Sequence, residues 1–141
     1  MEDEKKYPHF ELTGKILSCC FEIMNELGPG FLESIYKNAL LIALREKGFQ
    51  VDVERCYEVR FRGTAIGKYR ADLVVEQAVI VELKCCDVLA REHQAQLFNY
   101  LKVSQLPVGL LVNFRRGKLT WKRLQSNGEI MFDPEEALAR S

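Results

Sequence analysis

Asp72, Glu82 and Lys84 stand out because little else around them is polar. From Arg70 to Lys84 the chain reads Arg-Ala-Asp-Leu-Val-Val-Glu-Gln-Ala-Val-Ile-Val-Glu-Leu-Lys. Two β-branched, apolar runs flank Glu76-Gln77-Ala78, the pattern of a buried hairpin. With those three residues as the loop, Asp72 lies opposite Glu82, with Cβ atoms about 4.5–5.5 Å apart. Lys84 is two residues past Glu82 and points to the same face. Carboxylates that close, among Val, Leu and Ile, repel one another and lose hydration. A divalent cation between them would remove that penalty, and a lysine beside them points to chemistry. The competing expectation is structural, with Asp72 capping a strand and Glu82–Lys84 forming a solvated edge pair. The opposed aspartate and the apolar surroundings weigh against it.

Other candidates are individually weaker. Gln96 and Tyr100 are four residues apart, hence on one face of a helix, beside an apolar stripe of Leu97, Phe98 and Leu101. A tyrosine there is as readily a core-rim residue as a functional one, and His93 one turn earlier reads as a hydrogen-bonded surface histidine. Glu33 follows Gly28-Pro29-Gly30 and falls in a first helical turn, where a glutamate complements the helix dipole; Tyr36 would share its face. Arg60, Arg62, Lys68 and Arg70, and then Arg115, Arg116, Lys118, Lys122 and Arg123, are basic clusters. Each suits either an exposed strand face or a phosphate track. No phosphate-cradling glycine loop, Ser/His/Asp order or zinc spacing occurs.

The elements that must hold these residues follow from periodicity. Leu12, Ile16, Cys19 or Cys20, Ile23 and Leu27 predict a first helix, stopped by Gly28. A second is expected over about 32–47, burying Leu32, Ile35, Ala39, Ala43 and Leu44. Strands are expected near 50–61, 65–75 and 79–84, then a helix over about 90–104 and strands at 107–114 and 118–124. A short helix is expected at 134–139. The order is that of an α+β, mixed α/β domain. Residues 1–10 read as a loose arm, 11–124 as the domain and 125–141 as an extension.

At 141 residues the chain has room for one core. No apolar run approaches the ~18 residues of a membrane span, and the charged N-terminus lacks the apolar stretch of a secretory signal. Five cysteines, four of them in the adjacent pairs Cys19-Cys20 and Cys85-Cys86, fit neither a disulfide framework nor a zinc knuckle. They point to a reducing cytoplasm and buried thiols. A formal net charge of zero argues against avid duplex binding through bulk charge.

Gly30-Phe-Leu-Glu33-Ser-Ile-Tyr36 matches the signature of the GxxExxY protein family. Leu27-Gly-Pro-Gly30, Tyr69-Arg-Ala-Asp72-Leu, Val81-Glu82-Leu-Lys84, Gln96-Leu-Phe-Asn-Tyr100-Leu-Lys102 and Gly109-Leu-Leu-Val-Asn113-Phe agree with it in order. The chain thus resembles, over about residues 11–124, a family grouped with the PD-(D/E)XK, restriction-endonuclease-like nucleases. The resemblance implies an αβββαβ core, a central mixed sheet flanked by helices. It implies Asp72, Glu82, the Leu83 carbonyl and Glu33 as metal ligands. Lys84 would orient the attacking water or stabilise charge, with Gln96 and Tyr100 supporting the site and contacting phosphate. Ala71 replaces the proline of the superfamily's name, and Met24 stands where relatives often carry histidine.

The expected function is Mg²⁺-dependent phosphodiester hydrolysis, with Mn²⁺ as substitute, because oxygen ligands suit Mg²⁺. The expected substrate is nucleic acid, DNA first, with the oligomeric state open, a homodimer included. The rival is a nucleic-acid-binding or protein-interaction module whose site is idle; within enzymes, the alternative is another phosphoester.

Overall fold

Local patterning carries through to most elements. The structure is a computed structural model that describes residues 6–132, so the expected helix at 134–139 lies outside the described residues. Helix α1 (Phe10–Leu27) buries Thr13, Ile16, Cys19, Cys20 and Ile23, whose spacing places them on one face. Gly28 ends it at φ 76°, its N–H donating to the Met24 carbonyl.

Helix α2 (Glu33–Glu46) buries Tyr36, Leu40 and Leu44. The expected stripe is displaced, since Leu32 is 72% and Ile35 41% exposed. Tyr36 takes the core-facing position because it satisfies both of its ends. Its ring stacks on Phe114 with centroids 4.5 Å apart, and its hydroxyl donates to the Gly28 carbonyl at 2.6 Å. A hydropathy pattern ranks tyrosine below leucine and isoleucine and misses this.

Six strands form one sheet in chain order: β1 (Val51–Phe61), β2 (Thr64–Val75), β3 (Val79–Lys84), β4 (Val108–Arg115), β5 (Lys118–Gln125) and β6 (Ile130–Phe132). Neighbours are antiparallel except β3 and β4, which run parallel and are joined by a crossover containing α3 (Arg91–Ser104). Parallel neighbours require such a connection. Helices α1 and α2 cover one face over Leu73, Val81, Leu83 and Val112. Helix α3 covers the other, placing Leu97, Tyr100 and Leu101 over Val74, Ile80 and Leu111. A Cβ at Gly109 would lie 2.9 Å from Leu97, so glycine is what allows α3 to approach β4.

Three surface expectations change. Lys122 and Arg123 are only 2% and 1% exposed and leave the proposed basic track. Arg123 instead ties the start of the chain to the sheet, donating to the carbonyl of Pro8, to Thr13 and to Gln125. Only Cys19 and Cys20 are buried thiols; Cys56 and Cys85 are exposed. Strand β6, beyond the last expected strand, pairs with β5 after the Ser126-Asn127-Gly128 turn.

Strands β1 and β2 share a kink. Ala71 and Val74 both face α3, whereas Leu73 and Val75 face α1 and α2. Side-chain alternation therefore slips by one at Asp72. On β1 it slips as well, between Val51 and Tyr57. There Glu54 adopts a φ of 52°, between the paired positions Val53↔Leu73 and Arg55↔Ala71. A left-handed non-glycine inside a strand stores strain of order 1–3 kcal/mol, and here it sits across from the candidate aspartate.

Candidate active site

The β2–β3 ladder follows the register expected from the hairpin, with Val75↔Val79, Val74↔Ile80 and Leu73↔Val81 as partners, and ends there. Beyond it the two carboxylates take over the ladder's bonds. Glu82 Oε1 accepts the Asp72 backbone N–H at 3.2 Å, and Asp72 Oδ2 accepts the Leu83 N–H at 2.9 Å. Asp72 can reach into this gap because alternation slips at its position. In a strand a residue's N–H and C=O face the same side, so the Leu83 carbonyl is directed to the gap as well.

The pair is electrostatically costly without a counter-charge. Glu82 is 8% exposed. Burial, with the Asp72 charge adding to it, pushes its pKa up to about 9. The ion-free pair therefore favours holding a proton where two separate carboxylates would both ionise. Half-buried Lys84, two residues on along the same strand, opposes this shift and also stabilises the carboxylate of Glu33.

Glu33 itself is exposed, at the start of α2. Its pKa is raised by partial burial, lowered by Lys84 and raised by Asp72. It lines a cleft of about 390 Å³ with Leu32, Ser34, Lys37 and Asp72. Among the described residues no three His, Cys, Asp or Glu side chains converge as a metal cage. The other two members of Gly30-x-x-Glu33-x-x-Tyr36 shape the loop that presents it. Gly30 has φ 97°, and a Cβ there would lie 3.3 Å from the Arg116 guanidinium. The Tyr36 hydroxyl, besides its bond to Gly28, accepts the Phe31 N–H at 3.3 Å.

Tyr100 comes to the pair from α3. It is 7% exposed and its ring lies 4.6 Å from that of Tyr69. Burial, then the charges of Glu82 and Asp72, push its pKa up to about 12, so it remains a phenol able to donate. Gln96, one turn earlier, is exposed and is not drawn into the pair. His93 caps α3, its Nδ1 accepting the Ala90 N–H at 3.1 Å.

Two residues of the site are not apparent from the sequence. Lys37 lines the cleft one turn after Glu33 and pairs with Glu54 at 2.8 Å. From sequence it resembles any helix-surface charge. Asn113, opposite Lys84 in register, is 1% exposed. It grips Cys86 from both sides, accepting its N–H at 3.0 Å and donating to its carbonyl at 2.8 Å. That holds the chain where it leaves β3. The available signal is a lone amide within the apolar run of β4.

A mixed sheet between helices, with an Asp, a Glu and a Lys where β2 and β3 separate, defines a restriction-endonuclease-like fold. Residues 10–124 match the PD-(D/E)XK nuclease superfamily, and the chain belongs to it. No curated protein matches the chain. Among solved structures, the crystal structure of SSO0001 is similar, with a TM-score of 0.55 and 18% identity over 99% of this chain and 64% of that one. The chain thus spans less than two thirds of that protein, and the likeness concerns the fold.

Proposed function

We propose that the chain is a Mg²⁺-dependent nuclease that hydrolyses phosphodiester bonds, with DNA as substrate. One observation carries this reading. Asp72 and Glu82 share a largely buried gap in which each accepts a strand N–H and burial pushes the Glu82 carboxyl up, with Lys84 alongside and an open cleft at Asp72. Such a donor set fits a hard divalent cation, whose charge offsets the repulsion. Asp72, Glu82 and the Leu83 carbonyl would hold it, with Glu33 facing it from the cleft wall. When bound it supplies Lewis acidity and a more acidic water.

The chain's own residues do the remaining work. The Lys84 ammonium stabilises negative charge developing on the phosphate and orients the attacking water. The Tyr100 phenol supports the carboxylates, Lys37 offers a cation to a neighbouring phosphate, and Asn113 keeps Lys84 in place. Gln96 sits toward solvent, where it suits a phosphate contact. A cytoplasmic setting goes with this, since all five thiols are free; among the described residues no helix is long and apolar enough to cross a membrane.

The test is cleavage of duplex, nicked and single-stranded DNA and RNA by purified protein in Mg²⁺ or Mn²⁺, with EDTA as control. Lys84→Ala should lose about 10²–10³ in rate, as for other electrostatic stabilisers, while still binding metal. Glu82→Ala should lose both. Equal cutting by Lys84→Ala would place the activity elsewhere. The formal net charge of zero favours a second reading, a binding module with an idle site. Metal binding without cleavage of any substrate would select it.

A further inference from the structure

The β1–β2 ribbon runs well past the sheet it belongs to. Beyond Arg55 and Ala71, β1 and β2 are exposed apart from Tyr57, Val59 and Tyr69, which are half-buried. From Val59 to Ala71 this ribbon carries Arg60, Arg62, Lys68 and Arg70 and no acidic residue, although the chain as a whole is neutral. Its apolar tip is exposed too, Phe61 by 56% and Ile66 by 64%, and the Arg62 guanidinium lies 4.7 Å from the Phe61 ring centre.

Charges on an exposed edge can simply discourage edge-to-edge pairing, but two features exceed that role. Such protection works with either sign, whereas past Glu58 the ribbon carries cations alone. The turn is also unusual. Phe61 and Thr64 pair across Arg62 and Gly63, which have φ of 49° and 81°. A two-residue turn with both φ positive prefers Asn-Gly, so arginine at the first position costs stability in order to place a cation at the apex. Next to it, Ile66 is an extra residue between the Val59↔Gly67 and Arg60↔Ala65 pairs, and such bulges re-aim side chains.

We infer that this ribbon docks in the major groove of duplex DNA, about three quarters of a turn of the double helix away from the bond to be cut. A two-stranded ribbon fits that groove, whereas the major groove of A-form RNA is too deep and narrow to be read by side chains. Arg62, Lys68 and Arg70 engage phosphates along the groove walls. Arg60 braces the turn, with its guanidinium on Glu58 at 3.0 Å and on the Gly63 carbonyl at 2.9 Å. The scissile position relies on the nuclease reading; the docking does not. The eight steps from Asp72 back to Thr64 span about 26 Å at 3.3 Å per residue, or roughly 8 base pairs at 3.4 Å each.

The test uses the full chain in EDTA, so that cleavage plays no part, with fluorescein-labelled 24-base-pair DNA and RNA duplexes and anisotropy over a salt series. Arg62→Asn with Lys68→Gln removes two cations, and asparagine suits the turn better than arginine, so the thermal midpoint should not fall. Loss of two phosphate contacts should lower the slope of log K against log salt by about 1.8 and weaken DNA binding roughly 60-fold at 0.1 M salt. Lys15→Gln with Lys47→Gln, exposed partners of Glu11 and Glu22, removes equal charge elsewhere and should leave affinity within about twofold. Parent-like affinity and slope in the ribbon variant would overturn the inference, even with cleavage intact. Equal binding of the RNA duplex would overturn the groove assignment. Ribbon-dependent DNA binding by a parent that cuts nothing in Mg²⁺ would support the docking and sink the nuclease reading instead. Where cutting occurs, duplexes ending fewer than about 8 base pairs from the cut on the ribbon side should be cut more slowly by the parent, and the ribbon variant should lose that preference; a parent indifferent to duplex length would contradict the placement.

Discussion

Replacing Glu82 with glutamine tests the electrostatics of the centre directly. Glutamine keeps the shape, its amide oxygen can accept the Asp72 N–H that Glu82 accepts at 3.2 Å, and its amide nitrogen can donate to the Asp72 carboxylate. What it removes is a titration. In the unfolded chain Glu82 ionises around its ordinary value of 4.5, whereas burial and Asp72 push it up to about 9 in the fold. Between those values the folded protein binds one proton more than the unfolded chain, so stability falls as pH rises. The contribution is fully present below pH 4.5 and is lost on the way to pH 9. Each pH unit in that window is worth about 1.4 kcal/mol, so between pH 5 and 8 the ion-free parent should lose roughly 4 kcal/mol relative to Glu82→Gln. Urea unfolding in EDTA at half-unit pH steps measures both curves, and their difference isolates residue 82 from every other group. Mg²⁺ should flatten the parent's decline, since a cation replaces the proton, and leave the variant's curve nearly unchanged. Parallel curves for the two proteins in EDTA would refute the buried, proton-holding pair.

Asp72→Asn should be at least as stable as the parent without metal, because it relieves the same repulsion and its amide oxygen can still accept the Leu83 N–H. Millimolar Mg²⁺ or Mn²⁺ should raise the thermal midpoint of the parent and not of this variant; equal shifts in calorimetry would put the ion elsewhere. Tyr36→Phe deletes the hydroxyl that joins Gly28 to Phe31. It should cost about 1–1.5 kcal/mol in urea unfolding and slow cleavage by loosening the loop that presents Glu33. Full activity together with full stability would deny that loop its role.

Parts of this protein that depend on neighbours in the chain could be read from its residues alone. Helix and strand spans came from periodicity and turn residues, and the glycine ending α1 was legible from its type alone. The register of the β2–β3 hairpin followed from a three-residue loop between two apolar runs, because a one-residue slip would turn every core side chain to the wrong face. Asp72, Glu82 and Lys84 were visible as charges that an apolar hairpin has no reason to carry. Tertiary structure decided what depends on distant partners. The core-facing side of α2 turned on Phe114, remote from Tyr36 in sequence, and on the folded-back Gly28 carbonyl. Burial of Lys122 and Arg123 turned on packing around the sheet, and Arg123 on contacts with Pro8 and Thr13. Lys37 and Asn113 became site residues only once α2 and β4 were set beside β2 and β3. The hairpin pattern implied simple opposition of Asp72 and Glu82, but in the fold the ladder opens there and the carboxylates close it, next to strained Glu54. Pleat alternation is a local property of an undistorted strand, whereas the kink that aims Asp72 into the gap arises where two strands distort together.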